Sequence, residues 1–407
     1  MSFLLHYNNI FSLVDNNSKY GVFCQFYNHT GLSRPLQIQS LNNTDYSAAM
    51  DEAGKLHVLT LPSHHQVAYF CYENGRSSKK MLVESTTETY TFSNPMIHLI
   101  NNETNIFYLS NKALSNAYAI VHQTLSSSSS QTLLETSYHL ENLKSITYRN
   151  DIYLFFSIQN TDYFLKCLKI TNGTTKELTL LYSKIPISDY CVCLHEDHMD
   201  IVYVAEFHGK YQLSYYNTQT NLSKILCNTL VPSNPVIFWY YNYLWINYLD
   251  DNKLYILLSI DDGNSFSSPV LCSIQNNIRK CTFTTNKNCS LSCSELYASI
   301  VNTYVHMSTL FTIDFDHIHL DSKIPIELEL LLEGLSLSQK DCKHAEELLE
   351  ELSALKEENK RLKTKYDTLL SKSPNFKDDD EAAPSLIKSA ASAFMEEFPT
   401  WNAPPRL

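Results

Sequence analysis

Apolar and polar residues alternate along most of this 407-residue chain, and the alternation comes in blocks. Seven apolar segments open at Ile10, Leu56, Ile106, Ile152, Ile201, Leu244 and Leu296, reading IFSLVD, LHVLTL, IFYLSN, IYLFFS, IVYVAE, LWINYL and LYASIV. Successive openings lie 43 to 52 residues apart, the spacing of a repeated supersecondary unit. Some 8 to 12 residues behind each, a second strand-like run begins at Tyr20, Val67, Tyr118, Tyr163, Tyr211, Tyr255 and Tyr304. Another candidate strand precedes the first landmark, as in YSAAMDE, PMIHLIN, SITYRN, DYCVCLH and VIFWYY. A fourth follows the second landmark, as in LQIQSL, MLVES and VLCSI. Four short strands per unit predict an all-β fold, a seven-bladed β-propeller over residues 1–322, with six or eight blades if an end unit is misread. A β-sandwich or β-helix shares the strand spacing, but sandwiches seldom hold seven equal units and β-helix rungs are shorter. The seventh unit fits most loosely, because CTFTTNKNCSLSCS inserts polar residues before its landmark.

The pattern then changes period. Past HIHLDSKIP, apolar residues at Leu328, Leu331, Leu332 and Leu335 recur at helical spacing, which predicts a connecting helix over 323–341. From Ala345 a heptad runs, with Ala345, Leu352, Asn359 and Tyr366 at a and Leu348, Leu355, Leu362 and Leu369 at d. Four successive leucines at d predict an α-helical coiled coil over 342–371, about 42 Å long at 1.5 Å per residue. A lone Asn359 at a fixes register in a parallel dimer at some cost in stability. Glu351 can meet Lys356 of the partner, and Glu358 can meet Lys363. These charge-matched flanks favour a parallel homodimer over one helix lying on the propeller. Residues 372–384, with KDDDEAAP, read as an acidic disordered linker. The end, 385–407, recovers apolar periodicity, with Ile387, Phe394, Phe398 and Trp401 as its docking residues. Such a tethered amphipathic peptide docks in a groove of another protein or folds back on its own chain.

Composition narrows the reading. Charged residues make up 18% against 44% hydrophobic, so most of the chain is expected to bury a core. The 27 Tyr and 19 Phe favour pleated surfaces, whereas Gly, at 8, is too scarce for the turns, which must lean on Asn, Asp and Ser. A net charge of −12 argues against nucleic acid as a partner. No run of about 18 apolar residues predicts membrane insertion. Eleven scattered Cys, and an N-terminal MSFLLHYNN without a basic region, lead us to expect reduced thiols and a cytoplasmic setting.

Candidate chemistry is sparse. Within SIDDGNSF, Ser259, Asp261, Gly263, Ser265 and Phe266 fit the pattern S/T-x-D-x-G-x-S/T-W/F at a turn between the third and fourth strands of unit six. The segment resembles the Asp-box, the turn motif repeated in sialidases and related β-propellers. The local requirement is a carboxylate to accept turn N–H groups, a glycine at positive φ, and an aromatic packed under the hairpin. The resemblance implies a propeller fold. A sialidase site would further need three clustered arginines, a Tyr nucleophile with a Glu, and an acidic proton donor. The propeller region has only Arg34, Arg76, Arg149 and Arg279, and no FRIP-like segment, so the resemblance is expected to extend to fold and not to catalysis.

CVCLHEDH brings Cys191, Cys193, His195 and His198 within eight residues, but not at a recognised zinc spacing, and Cys281, Cys289 and Cys293 are likewise not a known site. Small apolar cysteines in a first strand are the plainer reading. SSSSS at 126–130 reads as an outer loop. No phosphate-cradling glycine loop, G-x-S-x-G elbow or H-E-x-x-H is present, and no cofactor is expected. The sequence therefore points to a non-enzymatic dimeric scaffold or adaptor whose propeller binds a protein partner. The alternative is a glycan-binding or glycoside-processing propeller, which would place acidic residues or arginines together where the first strands meet.

Overall fold

The computed structural model describes residues 353–365 and residues 2–314, the latter apart from 8–9, 29–30, 41–44, 74, 86–88, 114, 116, 128, 232–233, 241, 273–276, 286–290, 302–303 and 309–311. The chain divides into two compact units, Met1–Gln339 and Lys340–Leu407. The described residues of the first are all-β, built of successive antiparallel sheets arranged like blades. Four sheets have four strands each in sequence order, starting at Tyr46, Tyr90, Leu140 and Ile187; we number them blades two to five. Blade six begins at Val236. Blades one and seven share one nine-stranded sheet, joined by a parallel pairing of Ser2–Tyr7 with Ile278–Thr285.

In blades two to five the last strand is the least buried. In blade two, Tyr46–Met50 is buried throughout and Leu56–Ser63 nearly so, whereas most of Arg76–Glu84 is exposed. A strand covered by neighbouring sheets on both faces reads as a continuous apolar run, which is what IYLFFS and LHVLTL are. The outer strands face water on more sides and carry the charge. Apolar clusters link each blade to the next: one and two through Val14 and Met50, two and three through Leu59 and Ile106. Blades three and four meet through Phe107 and Leu154, and four and five through Phe155 and Tyr190. A single large cluster joins blades five, six, seven and one, from Tyr215 and Trp245 to Leu296 and Leu4.

The hairpins use the left-handed backbone that scarce glycine would otherwise supply. Asn101–Asn102, Arg149–Asn150 and Asp251–Asn252 all sit at φ between 49° and 67°, the conformation of a two-residue hairpin turn. In the second compact unit, the described residues form one helix over 353–365. A coiled coil is not shown. Ala345, Leu348, Glu351, Leu352, Tyr366 and Leu369 lie outside the described residues, as do the expected connecting helix, the acidic linker and the tail residues Ile387, Phe394, Phe398 and Trp401. No described helix is long and apolar enough to cross a membrane.

Candidate functional site

The first strands of the blades converge on a cavity of about 260 Å³, which a second of about 290 Å³ continues, with Phe3, Ser47, Ser145, Ile146, Thr282 and Ser294 shared between them. Three of these strands are irregular at the same level. Tyr90–Ile100 carries one extra residue between Ser93 and Met96, Leu140–Tyr148 one between Glu141 and Lys144, and Ile187–His195 one between Ile187 and Asp189. A β-bulge re-aims the side chains that follow it, and bulges gather beside functional sites. Here they turn Asn94, Lys144 and Tyr190 onto the cavity wall. The strands of blade six between Val236 and Leu271 contribute no lining residue, because Leu291–Ser292, which lines the second cavity, pairs with Trp239–Tyr240 along their inner edge.

Four charged side chains from three blades meet at this wall. The Lys144 Nζ lies 3.2 Å from Asp189 Oδ1 and 3.0 Å from Glu295 Oε2. The Lys280 Nζ lies 3.5 Å from Asp189 Oδ2 and 3.2 Å from Glu295 Oε2. Each ammonium has three N–H donors, and a backbone carbonyl takes the third: Tyr190 O at 2.5 Å for Lys144, and Pro235 O at 3.2 Å for Lys280. Burial alone would neutralise these groups; their mutual attraction overcomes it. Burial works to lower the pKa of both lysines, yet the carboxylates hold it above the ordinary value. Burial likewise works to raise Asp189 and Glu295, and the two ammonium groups hold them below it. The cluster is thus two ion pairs, charged and net neutral. Tyr190, against whose ring Lys144 packs at 5.1 Å, is kept protonated by burial and donates to Asn142 O.

Deeper along the wall, His98 Nε2 is 2.7 Å from Ser145 Oγ. Burial pushes His98 down to about 4, which makes it a weak base at neutral pH. No carboxylate bonds to it among the described residues. The pair therefore bridges two first strands and lacks the orienting acid of a nucleophilic triad.

Of the residues singled out from sequence, none enters this cluster. Ser259, Asp261, Gly263, Ser265 and Phe266 form a turn between the third and fourth strands of blade six, Lys253–Ser259 and Val270–Leu271. Asp261 accepts from Ser265 N at 2.8 Å and Ser265 Oγ at 2.7 Å, and Ser259 Oγ accepts from Gly263 N at 2.9 Å. Phe266 meets Tyr215 of blade five edge-on, at 5.0 Å. The arginines are dispersed. Arg149 pairs with Asp197 at 3.0 Å in the open, Arg279 pairs with Asp15, and Arg34 and Arg76 are exposed. Cys191 and Cys193 are buried in the first strand of blade five, where burial pushes the Cys191 thiol up to about 12 and the Cys193 thiol further. Histidine, cysteine and carboxylate groups form no metal-binding cluster among the described residues. On the helix, Leu355, Lys356, Glu358, Asn359, Leu362 and Lys363 are all exposed.

Sequence reasoning missed Lys144, Asp189, Lys280 and Glu295, whose separations run to 151 residues. The available signal was a charge set into an apolar first strand, as in ENLKSITY.

No family model matches the chain, and no curated protein matches it in sequence. Among solved structures, it is similar to the SapL1 lectin in complex with alpha methyl fucoside, at 9% identity and a TM-score of 0.41, over 67% of this chain and 97% of that one. It is also similar to the Aleuria aurantia lectin in complex with Fucalpha1-6GlcNAc, at 9% identity and a TM-score of 0.38, over 66% and 91%. A prolyl endopeptidase is similar at 13% identity and a TM-score of 0.45, over 77% of this chain; the match spans about half, 49%, of that protein.

Proposed function

We propose that the chain is a non-enzymatic, cytoplasmic scaffold: a seven-bladed β-propeller that binds a protein partner, carried on a parallel homodimeric coiled coil. The observation that carries the dimer is the helix over 353–365. Its two d-position leucines, Leu355 and Leu362, are 60% and 55% exposed, and Asn359 lies between them in the heptad. Leaving such a stripe in water forgoes about 1.5–3 kcal/mol per leucine. A second copy covers it and pairs asparagine with asparagine, whereas packing on an unrelated apolar surface would leave Asn359 buried and unsatisfied.

Ring closure of the propeller is supported by the inner pairing of blades one and seven and by apolar clusters that link each blade to the next. Two carboxylates, Asp189 and Glu295, do meet where the first strands converge, as the glycan-processing alternative requires. Lys144 and Lys280 hold both below the ordinary carboxylate range, which suits neither to the role of proton donor and supports a non-catalytic reading. Cys24, Cys71, Cys167, Cys191, Cys193, Cys227 and Cys281 are free thiols, which suits a reducing compartment.

Sedimentation of the intact protein tests the dimer: a mass of one chain at micromolar concentration would sink it. Affinity capture with the intact chain, compared with one ending at Ser371, tests recruitment. The same captured protein from both assigns the partner to the propeller.

A further inference from the structure

The cavity between the first strands is a built recess whose wall chemistry selects a ligand class. We propose that it binds a small, uncharged, polyhydroxylated molecule of mono- to disaccharide size. The inference rests on the cavity and is independent of the dimer.

Charge comes first. Lys144 and Lys280 spend every N–H on the protein, so neither is left for an incoming anion. Their charges are cancelled by Asp189 and Glu295, and the further carboxylate of the lining, Asp45, is exposed. Both lysines converge on Glu295 Oε2, and Glu295 lines the cavity. Asn94 adds an amide from its bulge, at φ 51° and half-buried, and Ser47 adds a hydroxyl whose oxygen accepts from Ile97 N. The wall thus offers both donors and acceptors. A ligand with several hydroxyls, each able to donate and accept, answers them, while a carboxylate or phosphate would face Glu295 and Asp45 without compensation.

The apolar lining is slight: Phe155 and Tyr190 are wholly buried behind the wall and Phe3 is 6% exposed, so an occupant meets mainly polar groups. Small-molecule pockets span about 300–1,000 Å³, and the two adjoining cavities, of about 260 and 290 Å³, each fall just short of that range. The bulges in three adjacent first strands are the independent sign of a site. They cost ladder hydrogen bonds at the same level of three blades, and what they place there is the cavity wall.

The test is calorimetric titration of the intact protein with methyl glycosides of glucose, galactose, mannose and fucose. Glucuronate and glucosamine serve as charged analogues of the same shape. The expected result is saturable binding of at least one neutral glycoside, with a Kd of about a millimolar or tighter, and at least about tenfold weaker binding of glucuronate. Asn94→Gly removes the amide and suits the left-handed backbone, so its thermal unfolding should match the parent while affinity falls about tenfold. Glu295→Gln is the second variant, with the carboxylate replaced by an amide. Saturable binding by no neutral glycoside overturns the proposal. So does binding that neither variant weakens, or a preference for glucosamine, which would mark an amine site instead.

Discussion

At the scale of the residue, Gly263 answers two demands. Its φ of +82° is one that side-chain-bearing residues rarely adopt, and a Cβ there would lie 2.3 Å from the Tyr215 hydroxyl oxygen. That hydroxyl donates to Asp200 Oδ1 at 2.6 Å, as Asn217 does at 2.8 Å, while Trp239 Nε1 donates to Oδ2 at 2.8 Å. Asp200 is wholly buried, so a turn on blade six is coupled through Tyr215 to a buried carboxylate on blade five. Gly263→Ala should cost about 1–3 kcal/mol of unfolding free energy, and Asp200→Ala about 3 kcal/mol or more, with several buried donors orphaned. Because both act through Tyr215, urea unfolding of the double variant should fall short of additivity by about 0.5 kcal/mol or more. Strict additivity would show that the link carries no energy. The pattern of SIDDGNSF made the turn and its glycine legible. It held no information on Tyr215, which lies 48 residues earlier by number and meets the turn only through blade packing.

At the scale of the element, the strands were legible because burial on both faces writes unbroken apolar runs, and the landmarks at Ile152 and Tyr163 fall at or next to the starts of strands Asp151–Gln159 and Tyr163–Thr171. The bulges were not. One extra residue inserts without changing composition, so SITYRN was read from Ser145, and Lys144, one residue earlier, fell outside it. The same strands carry the pH response. Burial lowers the pKa of His57, His98, His122 and His195, that of His98 from 6.5 to about 4. The unfolded chain therefore takes up protons that the folded chain refuses, and stability falls as pH drops from about 6.5 towards about 4. Urea midpoints at about pH 7.5 and about pH 5 should differ in that sense, and His98→Gln should narrow the difference. An unchanged difference would remove His98 from the account. On the helical element, Asn359→Leu should give sedimenting species of altered mass or a mixture of helix orientations; a distribution identical to the parent would separate Asn359 from assembly.

At the scale of the whole molecule, the Lys144–Asp189–Lys280–Glu295 cluster draws on blades four, five and seven and takes in the carbonyl of Pro235, which leads into blade six. Lys144→Met leaves two buried carboxylates on one ammonium and should cost about 3–5 kcal/mol. Replacing Lys144 and Glu295 together by Met leaves the balanced Lys280–Asp189 pair, so the double variant should be more stable than the single one. The reverse order would mean that the cluster is held by packing and not by charge. The repeat made the blade-like sheets readable, since each writes its own landmark. The pairing of the first strand with a late one was not readable, because nothing in Ser2–Tyr7 advertises a partner in Ile278–Thr285. His6 and Thr285 are 279 residues apart yet adjacent across that pairing. During synthesis at about 5–20 residues per second, the earlier strand waits roughly 15–60 s for its mate to leave the ribosome. Throughout that interval it presents an open parallel edge, which the matching strand of a neighbouring nascent chain fits equally well. Crowded polysomes should therefore yield strand-exchanged pairs, and slow, sparse translation should yield closed rings.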